Sequence, residues 1–99
     1  MNCYRLQRTA RGDLREIYRH IARDNPSAAA RMVERFYDQF RFLAANPFAG
    51  ELRIDFGARV RIFSVGNYVI VYRTDNHGVT IARVVHGARD MDALLRPAP

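Results

Sequence analysis

"YVIVYR", Tyr68 to Arg73, is the stretch on which the fold turns. Tyrosine, valine and isoleucine are strand formers. Alternation sets Tyr68, Ile70 and Tyr72 on one face and Val69 and Val71 on the other. A strand apolar on both faces belongs in the middle of a sheet that is covered on both sides. Turn signals bound it: "GN" at 66–67 before, and "DNHG" at 75–78 after, with a glycine available for a positive φ. Beyond those turns lie two more period-2 runs, "RVRIFSV" at 59–65 and "VTIARVVH" at 79–86. Three strands joined by tight turns predict an antiparallel meander.

Ahead of residue 50 the period is 3.6 instead of 2. Leu14, Ile17, Tyr18 and Ile21 share one face of a first helix, for which Thr9 is the expected N-cap. A second helix carries Ala29, Met32, Val33, Phe36, Phe40 and Leu43 on a continuous stripe. The break between them falls at "DNP": a residue before proline avoids the α region, so Asn25 caps the second helix and Pro26 opens it. "NPFAG" at 46–50 ends it. The weakly alternating "YRLQR" at 4–8 reads as a first strand. The order is therefore β-α-α-β-β-β, followed by a short C-terminal tail, "MDALLRPAP". The class is α+β: an αα-hairpin packed on one face of an antiparallel sheet. A sheet face open to water is polar, and Val69 and Val71 are not, so either the tail or a partner is expected to cover them.

The chain of 99 residues predicts a single domain, 1–99, able to bury roughly two-thirds of its unfolded surface without staples. Its one cysteine, Cys3, excludes an intrachain disulfide and suits a reducing compartment. "MNCYRLQR" lacks the apolar run of a signal peptide, and no apolar stretch approaches the ~20 residues of a membrane span, so a cytoplasmic location is expected. The net charge is +6, and every one of the 16 cations is arginine. Codon bias is the plain account of the missing lysine. The positive balance favours an acidic partner, which arginine's planar fork grips through carboxylate or phosphate.

Few chemistries fit. Cys3, His20, His77 and His86 have no metal-ligand spacing, so no metal is expected. Ser27 and Ser64 sit in no nucleophile elbow, and no glycine-rich phosphate loop exists, so no cofactor is expected. Acid–base cleavage of RNA is the serious catalytic option. It needs a base, an acid and cations around a phosphate, and "RVVHGARD" (83–90) with Tyr72 supplies the residue types: His86, Arg83 and Arg89. The plainer reading is preferred: His86 ends a strand, and Arg89 pairs with Asp90 or a helix carboxylate. Arg11, Arg15, Arg19 and Arg23 step by four along the first helix. As a bare pattern this is a solvated face, partly neutralised by Glu16. It also suits an acidic partner segment.

"ARGDLREIYRHIARDNPSAAARMVERF", "LAANPFAGELR", "YVIVYR" and "IARVVHGARD", taken in order, resemble the ParE branch of the RelE/ParE toxin superfamily from about Leu6 to Leu95. The resemblance implies an αα-hairpin on an antiparallel sheet and a small toxin neutralised in a hetero-oligomeric complex by a cognate acidic, ParD-like antitoxin. It implies DNA gyrase as the target. The alternative is the superfamily's RNA-cutting branch, a ribosome-dependent mRNA interferase; a third is a toxin scaffold without target activity. The middle-strand cations of the RNA-cutting branch fall on Val60, Ile62 and Val69, and its tail tyrosine on Leu95. Only the post-strand arginine is matched, by Arg89. A shift of one residue would bring Arg59 and Arg61 into the cation positions. No catalytic residue is therefore assigned. Arg59, Arg61, Arg83, His86, Arg89 and Asp90 are expected to contact the target or partner. Arg11, Arg15, Arg19, Val69 and Val71 are expected to contact the antitoxin.

Overall fold

A computed structural model describes residues 3–87 and 90–91. The elements are β1 (Cys3–Leu6), α1 (Arg8–Ala22), α2 (Pro26–Ala45), β2 (Glu51–Leu52), a 3-10 turn (Ile54–Phe56), β3 (Val60–Val65), β4 (Tyr68–Asp75) and β5 (Gly78–His86). The sheet order is β1-β5-β4-β3-β2. The meander β3-β4-β5 is antiparallel, as expected, and β2 extends it at one edge. At the other edge β1 pairs with β5 in parallel, from Cys3 opposite Gly78 to Leu6 opposite Ile81. The sheet is therefore mixed. A parallel neighbour requires a crossover, and the αα-hairpin with the first strands of the meander provides it.

The start of α1 differs from the sequence reading. Gln7, not Thr9, is the N-cap, and no side chain caps the helix. The Gln7 amide donates to the Ile81 carbonyl at 3.0 Å, so the pairing of β1 with β5 sets where the helix begins. Thr9 lies in the first turn and donates its hydroxyl to the Ala82 carbonyl at 2.7 Å. α2 begins as read: Pro26 is its first residue, and the Asn25 side chain accepts from the Ala28 amide at 3.0 Å. Its end is capped by Asn46, whose side-chain amide donates to the Phe42 carbonyl. At the first position of β5, directly after the turn, Gly78 takes the positive φ, 137°.

Ala82 sits at a β-bulge. Val71 pairs with Arg83 but Tyr72 with Ile81, so β5 carries one extra residue. The bulge lets Val79, Ile81 and Val84 all face the helices, although the step from 81 to 84 is odd. On that face they meet Leu14, Ile17, Phe36, Phe40, Leu43, Ile70 and Tyr72. On the other face Val60, Val69, Val71 and Val85 form a second buried cluster. Of the two covers left open for that face, the chain supplies one itself. Phe56, from the 3-10 turn, and Met91, the first residue of the tail, pack against it. Val69 and Val71, expected as an open apolar face for the antitoxin, are consequently only 8% and 7% exposed.

Candidate partner-binding site

The arginine ridge of α1 borders a groove on the helical hairpin. Arg11, Arg15 and Arg19 line it with Leu14, Tyr18, Val33 and Tyr37. Tyr18, read as part of the buried stripe, is 42% exposed and faces this groove. The core takes Ala10, Leu14 and Ile17 from α1, and Tyr18 lies one position further round the helix. Arg19 holds Glu16 at 3.0 Å, but both side chains are more than two-thirds exposed. Such a pair is screened and contributes little, so a partner's carboxylate can replace Glu16 at small cost. The guanidinium groups of Arg11 and Arg15 make no hydrogen bond or ion pair among the described residues. An apolar floor rimmed by three cations matches an amphipathic, acidic helix.

The residues of "RVVHGARD" do different work. Arg83 donates from Nε and Nη2 to the two carboxylate oxygens of Asp13 at 2.8 and 3.1 Å. The same carboxylate accepts from the Val84 amide at 2.9 Å. This clamp joins α1 to β5 beside the bulge, and its charge-assisted hydrogen bond raises the Arg83 pKa above its ordinary value. The His86 ring stands edge-on to Tyr68, with centroids 5.6 Å apart, and the His86 amide donates to Asp90 at 3.0 Å. His86 and Asp90 border a cleft with Asp13, Glu16, His20 and Tyr68. Arg89 lies outside the described residues. The sequence reading missed Asp13, although a signal was present. Asp13 stands three residues after Ala10 and one before Leu14, inside the apolar stripe, where a carboxylate requires a partner.

Tyr72 and Arg61 organise a third region. The buried Tyr72 hydroxyl donates to the Pro47 carbonyl and accepts from the Gly50 amide, both at 2.8 Å. Burial pushes its phenol upward. Gly50 permits this approach, because a Cβ there would lie 2.5 Å from the hydroxyl. Arg61 donates to the Gly50 carbonyl at 2.8 Å and lies over the Phe48 ring, 5.0 Å from its centroid. Arg59 is exposed and has a positive φ of 62°. Of the acid–base set weighed for RNA cleavage, the described members His86, Arg83 and Tyr72 do not converge on one point. Tyr68 is opposite His86 in the ladder, and Tyr72 is four residues further along β4, roughly 13 Å at strand rise. Arg83 is turned to α1. Among the described residues no three histidine, cysteine or carboxylate groups could hold a metal ion, and no helix is long and apolar enough to cross a membrane.

Comparison with known proteins agrees with this architecture. The family described as "ParE toxin of type II toxin-antitoxin system, parDE" matches residues 4–91. Toxin ParE3 of Caulobacter vibrioides is 30% identical over 89 residues, covering 89% of each chain. A solved structure described as "Chromosomal ParDE TA system from P. aeruginosa" superposes with a TM-score of 0.70 at 25% identity, covering 84% of this chain and 92% of that one. The chain, with its αα-hairpin against a five-stranded sheet, belongs to the ParE toxin family of type II toxin–antitoxin systems.

Proposed function

We infer that this toxin is held inactive by a ParD-like antitoxin whose acidic, amphipathic segment lies in the α1–α2 groove, and that its target is DNA gyrase. The groove carries the first half of the reading: Tyr18, Val33 and Tyr37 form the apolar floor, and Arg11, Arg15 and Arg19 the cationic rim. Val69 and Val71 are left out of the antitoxin surface because their own chain buries them. The described acid–base groups weigh against cleavage of messenger RNA, the rival reading. Tyr72 is committed to the 47–50 loop, Arg83 to Asp13, and the His86 ring to Tyr68. Arg11→Glu, Arg15→Glu and Arg19→Glu together are expected to slow antitoxin association by roughly ten- to a hundredfold at low salt and to flatten its salt dependence, as rim charges do. Unchanged association kinetics would remove the groove from the reading. Expression in cells, read separately for DNA breaks and for transcript cleavage, tests the target. DNA breaks with intact transcripts are expected. Codon-positioned cuts in messenger RNA would overturn the gyrase reading.

A further inference from the structure

Away from the helical groove, at the β2 edge of the sheet, three large apolar side chains stand in solvent. Phe48 is 73% exposed, Ile54 76% and Leu52 49%. They share one concave surface with Arg59 and Arg61. Isolated exposed apolar residues are ordinary, but a contiguous group held in place is not. This one is held. Tyr72 fixes both ends of the Pro47–Gly50 turn, and Arg61 stacks under the Phe48 ring while bonding the Gly50 carbonyl. Phe48 is thus displayed in a fixed position, which reduces the ordering a partner must impose.

Arg59 completes the surface. Its φ of 62° is a left-handed conformation that arginine rarely adopts. Its guanidinium makes no hydrogen bond or ion pair among the described residues. An unfavourable backbone that ends in an unengaged cation points to use by a partner. The other charges around the patch are engaged. Arg53 is bound to Asp55 by two hydrogen bonds, and Asp75 accepts from the His77 amide and the Thr80 hydroxyl. A phosphate backbone needs several free cations and would find one here. In a second copy docked patch to patch, the carboxylate that this surface could offer Arg59 is that of Asp75, both of whose oxygens already accept hydrogen bonds from the His77 amide and the Thr80 hydroxyl. An aromatic residue and an arginine at the centre of an apolar surface are the composition of a protein–protein contact.

We propose that Phe48, Leu52, Ile54 and Arg59 form a second protein-docking surface, separate from the antitoxin groove, by which the toxin engages its target through an apolar side chain flanked by a carboxylate. The assignment of that partner as the target rests on the toxin reading above. The informative variant is Arg59→Gly. It removes the guanidinium and at the same time relieves the left-handed backbone, so it keeps or raises stability. Phe48→Ser is its companion. Both are measured for thermal unfolding, binding to co-expressed antitoxin, growth arrest on expression, and inhibition of purified gyrase. The expected result is folded protein, antitoxin affinity within about threefold of wild type, and at least tenfold weaker growth arrest and gyrase inhibition, on the scale of one lost contact at the centre of an interface. If the wild type arrests growth without touching gyrase while both variants fail to arrest, the gyrase reading falls and the docking surface stands. Wild-type toxicity in both variants overturns the proposal. So does an equal loss of antitoxin affinity, which would assign the patch to the antitoxin. Wild-type self-association that either variant abolishes would assign it to a second copy. Retention on duplex DNA that Arg59→Gly abolishes and Phe48→Ser spares would assign it to nucleic acid.

Discussion

Asp13 and Arg83 give the sharpest test of how this fold is held. The carboxylate accepts three hydrogen bonds, two from the Arg83 guanidinium and one from the Val84 amide. Arg83→Ala removes the first two and leaves Asp13 bound to the amide. The Arg83 side chain is 40% exposed and Asp13 only 17%, so solvent screens the ion pair. After that discount the loss is about 1–1.5 kcal/mol, against roughly 1.5–3 for a hydrogen bond to a charged group. Asp13→Ala removes all three and also strands the amide of Val84, a residue only 2% exposed. That adds about 1–3 kcal/mol for an unsatisfied buried donor, giving roughly 3 kcal/mol in all. Asp13→Asn keeps an acceptor for the amide and should fall near Arg83→Ala. Urea unfolding measures this as a shift of midpoint at constant slope. The double variant should be no worse than Asp13→Ala, with a coupling of about 1 kcal/mol in the cycle. If Arg83→Ala destabilises as much as Asp13→Ala, the amide contributes nothing. The account of Asp13 as the anchor of the bulge is then wrong.

Phe36 and Phe40 are fully buried between α2 and the sheet, and replacing either by alanine should cost about 3–5 kcal/mol in urea unfolding. Tyr72→Phe should lose about 1–3 kcal/mol, because the Gly50 amide and Pro47 carbonyl lose their partner. The wild type should also lose stability in alkali. The folded phenol titrates above the ordinary value of 10, so its contribution is complete below about pH 10 and disappears as pH rises through the folded value. Tyr72→Phe should lack that part of the alkaline slope, and parallel slopes for the two proteins would contradict the assignment. Gly12 lies inside α1, and beyond its chain neighbours and the helix's own backbone no atom lies within 4 Å of where a Cβ would sit. Gly12→Ala should therefore raise stability by about 0.5–1 kcal/mol, read as a higher melting temperature.

The sequence by itself determined the elements whose signals are local. Asn25 before Pro26, and Asn46 before Pro47, mark the ends of α2 because proline restricts the residue before it and an asparagine side chain bonds nearby backbone groups. The switch from a period of 3.6 to 2 near residue 50, with turns at 66–67 and 75–78, marked the three strands of the meander and their antiparallel order. The arginine ridge of α1 was legible for the same reason, since residues four apart share a helix face. Tertiary structure decided whatever depends on residues distant in the chain. Parallel pairing of β1 with β5 spans more than 70 residues, and it moved the start of α1 from Thr9 to Gln7. The extra residue at Ala82 reverses the inside–outside pattern of β5 midway, so strict alternation places Val84 on the wrong face. Arg83 looks like a site residue in the sequence. Its role appears only when α1 brings Asp13 beside it, 70 positions earlier in the chain. Closure of the second sheet face by Phe56 and Met91, and the display of Phe48 on the Tyr72–Arg61 scaffold, are likewise non-local. Periodicity records which side of an element is apolar, but which distant side chains meet there is fixed by packing, where each buried polar group must find its partner.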